Sequence, residues 1–434
     1  MKPLSLRRLL AITFFSFALT LHASTMEPAV FGNRILALAP DNRNTVLGLA
    51  TFAGLIVATL TQPLMGMLSD RTCSPLGRRL PFLMGGVGLL VVCVYAVALA
   101  PSLPAFIVAV LLMQVGSNTI QGPWQALIPD QAPPSQHGRA SALKALFDIL
   151  AAVVGRLCAG YLIGLPHPFG IPPAVLAVSL DVLVLLVALA IALAGVREEP
   201  QAGGAKPPPL HWRVFLRNTF TADLRQTPGF RWWFMNRLFF WTALIGLTTF
   251  LLFFAIDVLG LQEAQAQRYV ATLSVTLGGA LLAITLPAGW LADRFGRKPL
   301  VIVAGACCAC GALAIVFLRD VQVLIVVGLF IGMSVGIYLV ANWALLTDLV
   351  PRQEAARYMG VANMATAGGS AIGRLLGGIL IDPINALAGN HTLGYLITYA
   401  IAAALFALSA LAILPLPDHR PPPPAEFKED IAQV

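Results

Sequence analysis

Gly66-Met67-Leu68-Ser69-Asp70-Arg71, then Thr72-Cys73-Ser74-Pro75-Leu76 and Gly77-Arg78-Arg79-Leu80-Pro81-Phe82, is one of two stretches that decide the fold. The other is Gly289-Trp290-Leu291-Ala292-Asp293-Arg294-Phe295-Gly296-Arg297-Lys298. Each reads G-x-x-x-D-R, then a glycine and neighbouring cations, and each is a short polar gap between long apolar runs. Of the 434 residues 58% are hydrophobic and 11% charged, against about 25% charged in a soluble domain. Mean hydropathy is +0.81. These values exclude a water-soluble enzyme, a nucleic-acid-binding domain and a disordered scaffold. The formal net charge of +8 therefore concerns the bilayer and not a nucleic acid.

Crossing a bilayer takes roughly 20 apolar residues. The runs around the two gaps predict twelve spans, over residues 9–31, 45–68, 81–100, 104–128, 140–165, 173–195, 232–256, 268–291, 299–318, 323–346, 358–381 and 394–415. The first carries Lys2, Arg7 and Arg8 ahead of it like a signal peptide, but lacks a clear small-residue cleavage site and is read as uncleaved. Of the 28 Lys and Arg residues, twenty fall in the two tails and the even-numbered gaps. Only Arg34, Arg43, Arg268 and Arg319 fall in the odd gaps. This asymmetry places both tails in the cytoplasm of a multi-pass protein of the inner cell membrane. Residues 1–195 form one six-helix unit, 196–231 a Pro- and Gly-containing cytoplasmic linker, 232–416 a second unit, and 417–434 a disordered tail. The cysteines sit in apolar runs or, for Cys73, in a basic loop. No disulfide framework, metal site or cofactor is expected.

The two units repeat. Adding 218 carries Asp130, Arg139 and Arg156 to Asp348, Arg357 and Arg374, and Gly155 and Gly160 to Gly373 and Gly378. So many matches at one offset in so apolar a chain mark a tandem of six-helix units. Parallel repeats facing each other across a midplane cavity are the architecture of alternating access. The six symmetric charges, Asp130, Arg139, Arg156, Asp348, Arg357 and Arg374, are read as structural contacts between the halves.

The two opening stretches resemble the signature loop of the major facilitator superfamily, G-x-x-x-D-R-x-G-R-R, nearly unbroken in the second copy and stretched in the first. The resemblance implies an all-α membrane protein with twelve transmembrane helices in two pseudo-symmetric bundles. It also implies a gating role for Gly66, Asp70, Arg71, Gly77, Arg78, Arg79, Gly289, Asp293, Arg294, Gly296 and Arg297. The stretched first copy, with Gln121-Gly122-Pro123-Trp124-Gln125-Ala126-Leu127 ending at Asp130, resembles the glycoside/cation symporter branch, sucrose–proton symporters above all. The acids which that branch would use for coupling are replaced here by Ala58, Gln62 and Gln114.

The function implied is secondary active transport of a small polar solute, a sugar or glycoside, by alternating access, with protons as the candidate coupling ion. No catalytic motif is present; the expected partners are the solute, protons and the lipid bilayer, with no nucleic acid, and the carrier is expected to act as a monomer. An export antiporter of small organic compounds and a non-transporting sensor or assembly factor of the same fold are the alternatives. Uncharged hydrogen-bonding and amphipathic groups on spans 4 and 10 suit a hydroxyl-rich ligand, so Asn118, Gln121, Trp124, Gln125, Asn342 and Trp343 are the substrate candidates. Ionisable groups within spans are costly and usually face a bundle interior. Among them Asp148, its i−4 neighbour Lys144, and Glu27 are the coupling candidates. His22 is read as a packing partner, Asp181 is given little weight, and Arg237 is read as an interfacial anchor.

Overall fold

A segment in lipid must satisfy its backbone hydrogen bonds internally, so each apolar run has to become a helix. The computed structural model describes residues 4–133, 136–164, 170–196, 228–349 and 355–416. α1 is a broken helix, Leu6–Thr13, Phe15–Thr25 and Phe31–Leu38, with a π turn at Met26–Val30. That turn contains Pro28, whose missing N–H interrupts the i→i−4 ladder. Then come α2 Arg43–Asp70, α3 Leu80–Ala98, α4 Leu103–Gln131, α5 His137–Ile163 and α6 Pro173–Gly195. α7 comprises Pro228–Thr249 and Leu251–Asp257, bent by 47°. α8 Glu263–Phe295, α9 Arg297–Phe317, α10 Val321–Leu349, α11 Ala355–Ala388 and α12 Leu393–Ala412 complete the chain. Among the described residues eleven helices are long and apolar enough to cross a membrane, and counting the bent α7 makes twelve. Pro228 opens α7, so residues 228–231, read as linker, belong to the helix; proline at a first helical position costs no hydrogen bond. Linker residues 197–227 and the tail 417–434 lie outside the described residues.

The packing repeats as the sequence does. In the first half α1 packs on α5 and α6, α2 on α4, and α3 on α4 and α6. In the second, α7 packs on α11 and α12, α8 on α10, and α9 on α10 and α12. The halves meet chiefly through α2 with α11 and α5 with α8, two pairs that exchange under the repeat.

Both inter-half contacts are made at one end of the molecule, called here the far end, opposite the end that carries the G-x-x-x-D-R loops. There α2 and α11 cross at Gly48 and Gly378. A Cβ on Gly48 would lie 2.6 Å from the Gly378 Cα and 2.7 Å from the Arg374 carbonyl oxygen, so only glycine permits the approach. Polar bonds lock the same end. Asn44 Nδ2 donates to Asp382 Oδ1 at 2.7 Å and to the Tyr395 hydroxyl at 2.8 Å. The Thr45 backbone N–H donates to Asp382 Oδ2 at 2.7 Å, Arg43 pairs with Asp257, and the Tyr395 hydroxyl donates to Asp257 at 2.6 Å. At the loop end Gly66 and Gly289 have open space where a Cβ would point, and Leu60, Leu146, Leu282 and Trp290 are exposed. Among the described residues the halves are joined at the far end, and a Cβ on Gly66 or Gly289 towards the loop end would meet nothing within 4 Å.

Candidate functional site

The first signature loop is organised around Arg79, which is 3% exposed. Its guanidinium reaches Asp70 at 2.5 Å, Asp130 at 3.1 Å, Ser69 Oγ at 2.5 Å and the Gly66 carbonyl at 3.3 Å, and Arg78 adds a second cation to Asp130 at 2.8 Å. The second half repeats the central pair. Arg297 binds Asp348 and donates to the Ala344 carbonyl at 2.9 Å. Arg79 and Arg297 stand 218 apart, as Asp130 and Asp348 do, a match the sequence contained. Gly77 and Gly296 take φ of +95° and +93°, which explains the glycine in each loop. Arg294 lies over the Trp290 ring, 5.1 Å from its centroid. The side chains of Asp293 and Arg357 lie outside the described residues, and Arg139 is exposed.

Asp130 and Asp348 therefore do not join the halves, as expected from their symmetry; each braces its own bundle, because the loop cation stands one helix away. Arg156 and Arg374 do reach across. Arg156 Nη1, on α5, donates to Ser274 Oγ on α8 at 3.0 Å, and Arg374 Nη2, on α11, donates to Glu27 Oε2 in the π turn of α1 at 2.7 Å.

Both arginines and Glu27 line a cavity of about 190 Å³ between the halves. Its wall is largely apolar, including Leu47, Phe254, Leu273 and Ile331, with hydroxyls from Ser24, Thr51, Thr248 and Tyr269. The Nε atoms of Arg156 and Arg374 are buried there without a hydrogen-bond partner. The π turn positions the carboxylate: an extra residue in one helical turn rotates Glu27 relative to the register of the preceding helix.

The expected substrate residues do not line this cavity. Trp124 is buried and donates Nε1 to the Ile12 carbonyl at 2.8 Å. Asn118 donates to the Gln114 carbonyl, and exposed Gln125 accepts from Gln62 at 3.2 Å. Gln121 is half-buried. Asn342 is fully buried, donating to Asn236 at 2.9 Å and accepting from Arg237 at 2.7 Å. Trp343 stacks under Arg237, whose guanidinium carbon is 4.5 Å from the ring centroid. Asn118, Trp124, Asn342 and Trp343 are spent on contacts within their own half. Lys144 and Asp148 pair at 2.7 Å, and Thr20 donates to Asp148 at 3.0 Å; neither Lys144 nor Asp148 lines the cavity.

Arg237 differs from expectation, and His22 and Asp181 are joined to each other. Arg237 is no interfacial anchor: it is 3% exposed among Trp233, Trp241 and Trp343 and donates to Thr366 Oγ1 at 2.7 Å. Its charge is met by aromatic faces and neutral acceptors. His22 and Asp181, read separately in the sequence, form a buried pair at 2.7 Å between α1 and α6. Sequence separation hid that pairing; nothing in the pattern of either helix marks the other.

The sequence profile of the Major Facilitator Superfamily matches residues 8–373 and 266–433. The chain belongs to that superfamily. A sucrose transport protein, SUT2 of Oryza sativa subsp. japonica, is 30% identical over 210 residues, covering 40% of this chain and 41% of the relative. The enterobactin exporter EntS of Shigella flexneri is 30% identical over 157 residues, 35% of this chain and 36% of the exporter. The match thus spans about two fifths of such relatives or less. Among solved structures, a D-xylose-proton symporter superposes with a TM-score of 0.73 at 16% identity, over 95% of this chain and 98% of its own. A bacterial homologue of the human lysosomal transporter Spinster, inward-facing and occupied, gives 0.72 at 17% identity over 93% and 95%. At such identities these last two likenesses show the fold.

Proposed function

We propose that this superfamily member is a secondary active transporter that carries a small organic solute by alternating access, with the cavity between Arg156 and Arg374 as its binding site. The observation that carries the reading is the pairing of α2 with α11 and α5 with α8 towards the far end, the end at which the described residues join the halves. Two equivalent contacts that close the far end leave the loop end open, and the repeat supplies the reciprocal arrangement. With the positive-inside asymmetry the loop end is cytoplasmic, the termini face the cytoplasm, and the conformation is inward-open in the inner cell membrane. The loop networks brace each bundle so that it rocks as a unit. Domain boundaries near residues 196 and 228 follow from the same division.

A sugar or glycoside substrate is supported by the names of the sucrose relatives and by the stretched first loop. Proton coupling falls to Glu27 ahead of Asp148, because Glu27 lines the cavity and Asp148 does not. The test is counterflow in proteoliposomes of purified protein across labelled sugars and organic anions. Saturable exchange of at least one solute, lost on cross-linking the far ends of α2 and α11, is the expected result. No exchange of any solute would favour the non-transporting sensor.

A further inference from the structure

Resting on the reading that the cavity is the transport site, we propose that it takes an organic monoanion together with a proton, the anionic head against Arg156 and the apolar body against the wall. Two guanidiniums and one carboxylate line the cavity, and Glu27 is committed to Arg374. Arg156 is left with one neutral partner, Ser274 Oγ, which itself donates to the Val270 carbonyl at 2.7 Å. Its Nε has no partner. A cation in an apolar cleft is costly unless an opposite charge meets it. Glu27 is the one carboxylate among the described lining residues and faces two guanidiniums, so one positive charge is left over and falls to the ligand. A neutral sugar would leave that positive charge uncompensated.

Glu27 pairs with Arg374 from α11 and shares the cavity with Arg156 from α5, Tyr269 and Ser274 of α8, Thr51 of α2 and Thr248 of α7. His22, on α1, faces away into its pair with Asp181 of α6. An incoming anion therefore competes with the Glu27 carboxylate for arginine. A proton from water on Glu27 removes its charge, releases Arg374, and leaves both arginines free to hold one anionic head. The proton and the anion enter together; when the anion leaves, Glu27 gives the proton to water and pairs again with Arg374. Neutralising Glu27 tightens anion binding, whereas a merely structural bridge would lose function when broken.

Benzenesulfonate is the probe, because it does not titrate and any pH dependence belongs to the protein; benzenesulfonamide is its neutral counterpart. Calorimetry on the purified full chain is expected to show sulfonate binding that tightens as pH falls, with the sulfonamide at least about tenfold weaker. Arg156→Gln should weaken the sulfonate by about tenfold or more, and Arg156→Lys should recover part of that loss, which separates charge from folding. Glu27→Gln should bind sulfonate tightly with little pH dependence and lose proton-driven accumulation. Equal affinity for sulfonate and sulfonamide, or weaker sulfonate binding in Glu27→Gln, overturns the proposal. Sucrose exchange insensitive to Arg156→Gln, with no anion binding, overturns it while leaving the carrier reading intact. Absence of binding by every probe, together with a cavity reachable from one side only, overturns both.

Discussion

Gly48→Ala should shift the protein towards the state open at the far end. The added Cβ would lie 2.6 Å from the Gly378 Cα and 2.7 Å from the Arg374 oxygen, whereas carbon atoms rest at about 3.5–4.0 Å. α2 and α11 would have to part by about 1 Å. That also stretches the Asn44 and Thr45 bonds to Asp382, which act in the same direction. Overpacking of this kind costs about 1–3 kcal/mol. The contact exists only when the far end is closed, so the cost falls on one state and moves the equilibrium by about 5–150-fold. The helix-propensity gain of alanine over glycine applies to both states and cancels. Spin labels on exposed Asn42 and Leu387, at the far ends of α2 and α11, report the separation. The longer-distance population should grow in Gly48→Ala and stay unchanged in Gly66→Ala, where a Cβ meets nothing within 4 Å. A distance distribution identical to wild type in well-folded Gly48→Ala would refute the reasoning.

Reporter fusions after residues 210 and 425 should both read cytoplasmic and one at residue 168 external; agreement of 210 with 168 would undo the span count. Arg79→Gln removes the cation shared by Ser69, Asp70 and Asp130 and should lower stability by about 1–3 kcal/mol in thermal unfolding. Asp70→Asn should cost less than about 1 kcal/mol, since Asp70 is 55% exposed, yet slow transport at matched expression by altering the loop that braces the gate. Asp148→Asn should leave proton-driven accumulation intact; its abolition would move coupling to the Lys144–Asp148 pair.

Fold and site were unequally legible. Helix formation in lipid is dictated by local composition, so the spans, the repeat and the two loops could be read from adjacent residues. The offset of 218 brought Arg156 and Arg374 to equivalent places, and both reach across the midline. Asp130 and Asp348 obeyed the same offset yet stayed within their own halves, because symmetry says that two sites are alike without saying what lies beside them. The Glu27–Arg374 contact joins residues 347 apart. It depends on a π turn whose rotation of Glu27 no periodicity argument for an ordinary helix supplies. Residue chemistry suggested Trp124 and Asn342 as ligand contacts, and burial turned them to packing: a polar group in a span needs a partner, and a neighbouring helix serves as well as a substrate.

The claim that one cavity alternates between two openings is tested most directly by thiol accessibility at Thr248→Cys, on the cavity wall of α7, with exposed Cys73 and Cys310 replaced by serine. In oriented vesicles an impermeant maleimide should label this site readily from the loop side and slowly from the far side. In the Gly48→Ala background the far-side rate should rise as the loop-side rate falls. Labelling confined to the loop side in both proteins would contradict alternating access.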